Sequence, residues 1–241
     1  YAYAHADVEL NFFRVFAWRG EPRGRMGQAF AWQAPGAFDV APLLPANSTI
    51  LRSLELPPIY GISMAEDLGE EVFLRRARTA IADGLQLIQL REKSWPVERL
   101  RRLADRLLPI AQAAGARVLL NGDPALALRL GCAGVHWTSA SLREAIARPE
   151  GMLCAASCHD SAELARAAEL GLDFAVLGTV AATPSHPDAE PLGWARVAEL
   201  LRATPLPVYA LGGLTRDDLD RAVAHGAHGI ALRRAAWNSG A

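Results

Sequence analysis

Three short stretches hold groups able to do chemistry. In Gln89-Leu90-Arg91-Glu92-Lys93, alternation along an extended chain puts Gln89, Arg91 and Lys93 on one face. Two cations and an amide converging there suit an anionic ligand, although a solvated rim carries the same charges. Ser157 and His159 also share a face, and an imidazole moves protons near neutral pH. A lone histidine in that place also serves as the ordinary start of a helix. Gly212-Gly213 lets backbone N–H groups approach a phosphate closely, and it equally makes a tight turn. Asn121 closes a further apolar run, just before Gly122-Asp123. The polar stretch from Thr179 to Pro191, with His186 in Thr183-Pro184-Ser185-His186-Pro187, reads as a lid or a long connection. No Walker loop, HExxH or GxSxG is present. Asp123 is the single carboxylate near these stretches, and one carboxylate makes a poor Mg²⁺ site.

The elements that position these residues repeat. Strand patterns run Ile59–Ser63, Leu85–Leu90, Arg117–Asn121, Gly134–Trp137, Leu153–Ser157, Phe174–Gly178, Val208–Leu211 and His228–Leu232. Helical patterns lie between them, clearest over Arg75–Ala82, Val97–Ala114, Ser161–Glu169, Trp194–Arg202 and Asp217–Ala224. Gly84, Gly115, Gly171 and Gly226 stand where helix ends need a left-handed residue. Asp160 with Glu163, and Thr215 with Asp218, supply caps and first-turn acids. Eight near-equal units over residues 57–241 predict a small α/β domain closed as a (β/α)8 barrel, with a doubly wound open sheet as the alternative. In such a barrel all the stretches above sit at strand C-terminal ends, where ligands bind. Little chain remains after the eighth strand, so closure there calls on the leading segment or on a second subunit of a homo-oligomer.

Pro57-Pro58 marks a change of pattern. Residues 1–56 read as strand-like, with an alternating run over Asp7–Trp18, a turn cluster at Gly20–Gly24, and a second strand at Ala29–Trp32. Asn47 or Ser48 is placed to cap a short helix through Leu54. The six aromatics of those strands need a surface to pack on, and a piece this small is marginal alone. The first residue, Tyr1, points to a processed chain or a fragment.

Composition narrows the function. Among 241 residues, 25 Lys+Arg face 26 Asp+Glu for a net charge of -1, which argues against a nucleic acid polymer as partner. Apolar residues make up 51% with no run long enough to span a bilayer, and no secretory leader opens the chain. Cys132, Cys154 and Cys158 are odd in number and lie in apolar segments, which reads as buried cytoplasmic thiols.

Residues 58–237 resemble the thiamine phosphate synthase and TenI family. The likeness rests on Gln89–Lys93, Gly134-Val135-His136, Val176-Leu177-Gly178, Thr183-Pro184, Val208–Leu214 and Gly226–Ala231, in order over six strand ends. It implies a (β/α)8 barrel that binds a phosphorylated thiazole, with Gly212 and Gly213 at the phosphate. The synthase branch places an Asp after the strand-three Asn and a second after strand four; Gly122 and Ser141 stand there. Its strand-six lysine is matched by His186. The TenI branch, a thiazole tautomerase, carries Asn-Gly after strand three and a histidine matched by His159. The resemblance therefore makes His159 the acid/base and Gln89, Arg91, Lys93, Asn121, Ser157 and His186 ligand contacts, with no metal or cofactor. A thiamine phosphate synthase and a non-catalytic ligand-binding module are the competing expectations. Residues 1–56 resemble the C-terminal part of a MutT-type Nudix domain, through Gly20–Gln28 and Leu44–Asn47. The glutamate-rich box of that family is absent, so the resemblance implies no nucleotide hydrolysis by this chain.

Overall fold

The computed structural model describes residues 2–3, 6–7, 15, 17–35, 37–41, 51, 53–183 and 190–238. It forms two compact units, Tyr1–Leu56 and Pro57–Ala241.

In the first unit, Ala2–Tyr3 pairs antiparallel with Ala6–Asp7. Residues 29–32, expected as a strand, are irregular, and Val15, Ala17 and Trp18 lie in no strand either. Apart from Asp7, the remaining alternating positions, and Asn47 and Ser48, fall outside the described residues. Alternation alone does not make a strand: a ladder needs a neighbour for its N–H and C=O groups. One isolated bridge, Ala34 to Ala37, is formed in this stretch. Trp18, Phe30 and Trp32 remain 61%, 53% and 72% exposed, so the aromatics do not build a closed core among the described residues.

The second unit runs β1 (Ile59–Ile62), α1 (Ala65–Leu68), α2 (Glu70–Ala82), β2 (Leu87–Leu90), α3 (Val97–Ala113), β3 (Arg117–Asn121), α4 (Pro124–Leu130) and β4 (Gly134–Trp137). It continues α5 (Ser139–Glu144), β5 (Leu153–Cys158), α6 (Ser161–Glu169), β6 (Phe174–Gly178), α7 (Gly193–Arg202), β7 (Val208–Leu211), α8 (Leu219–Ala224) and β8 (Gly229–Leu232). Every strand pairs in parallel with the next, and β8 pairs with β1, so the sheet closes. The open-sheet alternative is thereby excluded.

Alternation along the strands makes two apolar layers. Ile88, Leu90, Val118, Leu120, Ala156 and Ile230 are buried in the cluster shared with the helices. Tyr60, Leu87, Leu119, Phe174 and Tyr209 are buried on the opposite parity and fill the barrel. Inside, the rings of Tyr60, Phe174 and Tyr209 meet pairwise at 5.2 to 5.8 Å. Asp160 caps α6, and Thr215 with Asp218 forms a capping box before α8.

The sheet itself closes within this unit, β8 pairing with β1. Trp237 is buried there and donates from its indole N–H to the carbonyl of Ile62 at 2.7 Å. Its ring meets Phe73 of α2 edge-on at 4.9 Å. The three cysteines are free and buried.

Candidate active site

The mouth of the barrel is built from the end of β2 outward. Glu92 is buried and turned away from the mouth. Its carboxylate accepts the N–H groups of Ala65 and Glu66, at 2.9 and 2.8 Å, and the hydroxyl of Ser63. Ser63 in turn accepts the N–H of Arg91 at 2.8 Å. This clamp ties the ends of β1 and β2 together and anchors the start of α1. Arg91 and Lys93, on either side of Glu92, are left lining a cavity of about 780 Å³, with Gln89 below them.

Arg233 and Arg234, just after β8, line the same cavity. The cations crowd one another. Burial pushes the Arg91 guanidinium down from its ordinary range, and Arg233 adds to the effect. Arg91 in turn holds the Lys93 ammonium below its usual range, with burial and Arg233 contributing. Arg233 is paired with Asp67. Among the described residues the one carboxylate lining the cavity is Glu190. An incoming anion would relieve this repulsion, so the mouth suits an anionic ligand.

Three strands round the barrel from β2, the turn after β7 also lines the cavity. Gly212 has φ +112 and Gly213 φ +66. A Cβ on Gly212 would stand 2.5 Å from Thr179 Cγ2, and one on Gly213 would stand 2.6 Å from the Ala182 carbonyl oxygen. The loop after β6 lies directly on this turn, held by Val180 N–H to Leu211 C=O at 2.8 Å and Ala181 N–H to Gly212 C=O at 3.0 Å. Glycine is therefore demanded by loop packing as well as by backbone conformation.

The histidine side of the cavity is β5 and the start of α6. Asp160 accepts the Glu163 N–H at 2.8 Å, which sets Glu163 in the first turn of the helix. One carboxylate oxygen of Glu163 receives both the backbone N–H and Nδ1 of His159, at 2.8 and 2.9 Å. Its other oxygen pairs with Arg143. An ionised carboxylate only accepts, so Nδ1 of His159 carries a proton and, in the neutral ring, Nε2 offers a lone pair. The Glu163 side chain is 7% exposed and the His159 side chain 59%. His159 thus opens to the cavity from a rigid, buried base.

Ser157, one β5 alternation before His159, lines the cavity as well, and Asn121 contributes from β3. Eight of the nine residues expected at the site thus surround one space: Gln89, Arg91 and Lys93, then Asn121, Ser157 and His159, then Gly212 and Gly213. His186 lies outside the described residues.

Two participants were not anticipated as site residues. His136 of β4 is buried at the cavity floor, with Nε2 3.0 Å from Ser157 Oγ and Nδ1 3.2 Å from the Tyr60 hydroxyl. Burial, assisted by Arg91, pushes its pKa down to about 3, so it stays neutral. Glu163 is the other. Its place four residues after His159 was a usable signal for contact on one helix face, but it reads equally as a first-turn acid.

The positions weighed as metal ligands are engaged locally or lack a side chain. Asp123 caps α4 by accepting the Ala125 N–H at 2.7 Å. Ser141 is engaged with Thr138 at the start of α5, through its hydroxyl at 2.9 Å and its N–H at 3.1 Å. Gly122 has no side chain to offer. Among the described residues no group of three His, Cys, Asp or Glu could hold an ion. No described helix is long and apolar enough to cross a membrane.

Comparison with known proteins matches residues 59–236 to the thiamine monophosphate synthase family model. A putative thiamine-phosphate synthase of Geobacter sulfurreducens is 35% identical over 178 residues, covering 72% of this chain and 84% of that protein. A putative thiamine-phosphate synthase 2 of Aquifex aeolicus is 31% identical over 180 residues, covering 74% and 96%. Among solved structures, a thiamine phosphate pyrophosphorylase from Pyrococcus furiosus superposes with a TM-score of 0.61 at 23% identity, over 73% of this chain and 84% of that one. That level of identity speaks to the fold alone. The family match begins after the first unit, so the Nudix likeness of residues 1–56 gains no support from it.

Proposed function

Because the chain belongs to the thiamine monophosphate synthase family, we propose that its barrel binds a phosphorylated thiazole and tautomerises it in the manner of TenI. The carrying observation is that the His159–Glu163 pair opens onto the same cavity as Arg91, Lys93 and the Gly212-Gly213 turn. The phosphate lies toward the cations and the glycine turn, and the ring reaches across to His159. Nε2 takes a proton from one ring position. The resulting imidazolium is stabilised by Glu163, which Arg143 holds in place. The proton is then delivered to the second position. No step needs a metal, in keeping with a mouth whose single lining carboxylate, among the described residues, is Glu190. A well-placed general acid/base contributes roughly 10²–10⁴-fold.

A second reading, thiamine phosphate synthase, is favoured by the names of the relatives, a putative thiamine-phosphate synthase and a putative thiamine-phosphate synthase 2. The test offers the full chain thiazole phosphate alone, then with pyrimidine diphosphate and Mg²⁺, and follows products by proton NMR. Interconversion of tautomers without metal, and no thiamine phosphate with it, is expected. Thiamine phosphate formed only with Mg²⁺ would transfer the assignment to the second reading. Binding with neither product would make the barrel a ligand-binding module.

For residues 1–56 we keep the MutT-type Nudix reading, which rests on Gly20–Gln28 and Leu44–Asn47 alone. It expects an oxidised guanine nucleotide to bind without being hydrolysed, and no detectable binding by titration would remove it.

A further inference from the structure

Beneath the cavity lies a polar chain that the proposed reaction does not use. Tyr60 is fully buried, its ring against Phe174 and Tyr209. Its hydroxyl is 3.2 Å from His136 Nδ1, and His136 Nε2 is 3.0 Å from Ser157 Oγ. Ser157 lines the cavity. The Tyr60 oxygen has no other hydrogen-bond partner among the described residues.

Two proton arrangements satisfy these distances. In one, Nδ1–H donates to the Tyr60 oxygen and the Ser157 hydroxyl donates to Nε2. The Tyr60 proton then points into an apolar core with no acceptor, which is strongly penalised. In the other, the Tyr60 hydroxyl donates to Nδ1, and Nε2–H donates to Ser157 Oγ. Every buried proton is then used, and the Ser157 proton is left to point into the cavity. A phenol has only this one donor, so its burial selects the second arrangement.

We propose that Tyr60 and His136 are positioning residues that hold the Ser157 hydroxyl as a hydrogen-bond donor to the cavity. That point of the cavity then selects a ligand acceptor, such as a phosphate or carboxylate oxygen or an unprotonated ring nitrogen. A ligand N–H placed there finds one remaining Oγ lone pair but leaves the Ser157 proton without a ligand acceptor, and so binds less well than an acceptor does. The relay itself stands apart from the proposed reaction. The effect on ligand rests on the reading of this cavity as a thiazole phosphate site.

Long-range proton–nitrogen NMR on the full chain with ¹⁵N-labelled histidine reads the tautomer directly. The Nε2–H form of His136 is expected, and the Nδ1–H form would overturn the relay. The second measurement is a cycle of Tyr60→Phe and Ser157→Ala, read by titration with thiazole phosphate. Tyr60→Phe should weaken binding roughly fivefold when Ser157 is present and have no further effect when it is absent. Equal losses in both backgrounds would mean that Tyr60 acts on the fold and not through the hydroxyl, and would overturn the proposal. A wild type that does not bind thiazole phosphate would refute the ligand reading, while the tautomer still decides the relay.

Discussion

The carboxylate of Glu163 holds His159 twice, through the backbone N–H and through Nδ1, at 2.8 and 2.9 Å. Residues four apart meet on a helix face, and here the first of them lies just outside the helix. The double contact fixes both the position of the ring and the tautomer it presents. Arg143 completes the arrangement on the other carboxylate oxygen.

Replacing Glu163 should therefore act on turnover more than on binding. Glu163→Gln is expected to lower kcat for tautomerisation about tenfold and leave KM nearly unchanged. The amide has one acceptor oxygen instead of two, and its NH₂ would face either His159 Nδ1 or Arg143. Steady-state kinetics check this; an increase in KM with unchanged kcat would show that Glu163 serves ligand binding instead.

His136 should make the fold sensitive to acid. Its pKa is pushed down from 6.5 to about 3 in the folded state, by burial first and then by Arg91. The unfolded chain then takes up this proton first as pH falls. The contribution is whole above about 6.5 and erodes toward about 3, at up to about 1.4 kcal/mol per pH unit. Denaturant midpoints measured down this range should fall more steeply for the wild type than for His136→Gln. Parallel slopes would contradict a buried neutral imidazole.

The turn after β7 should tolerate no side chain. Gly212→Ala places a Cβ 2.5 Å from Thr179 Cγ2 at a φ of +112. A loss of about 1–3 kcal/mol is expected, together with weaker thiazole phosphate binding as the β6 loop shifts. Thermal denaturation and titration of the variant measure the two effects. Wild-type values for both would show that the turn is not under this constraint.

Much of the barrel was legible because its signals are local and repeated. β3, β4, β6 and β7 fall where apolar runs are bounded by turn residues, and α6 begins at its Asp160 cap. Helices α1, α4 and α5, of 4, 7 and 6 residues, were not read, since so few turns leave little periodicity to detect. Trp237 could not be read either: its role exists only once Ile62 and Phe73 are brought beside it. The cavity face was legible from parity at Gln89, Arg91 and Lys93, and at Ser157 and His159. His136 was legible as a motif residue but not as a partner of Tyr60, because 76 residues separate them and only the closed barrel joins them. Residues 29–32 show the reverse failure, an apolar pattern that pairs with no strand among the described residues.

The central claim is that His159 moves the proton. Tautomer interconversion of thiazole phosphate, measured without added metal for the wild type and for His159→Ala, tests it most directly. A fall of roughly 10²–10⁴-fold in kcat with ligand affinity retained is expected. Equal rates in the two proteins would contradict the account.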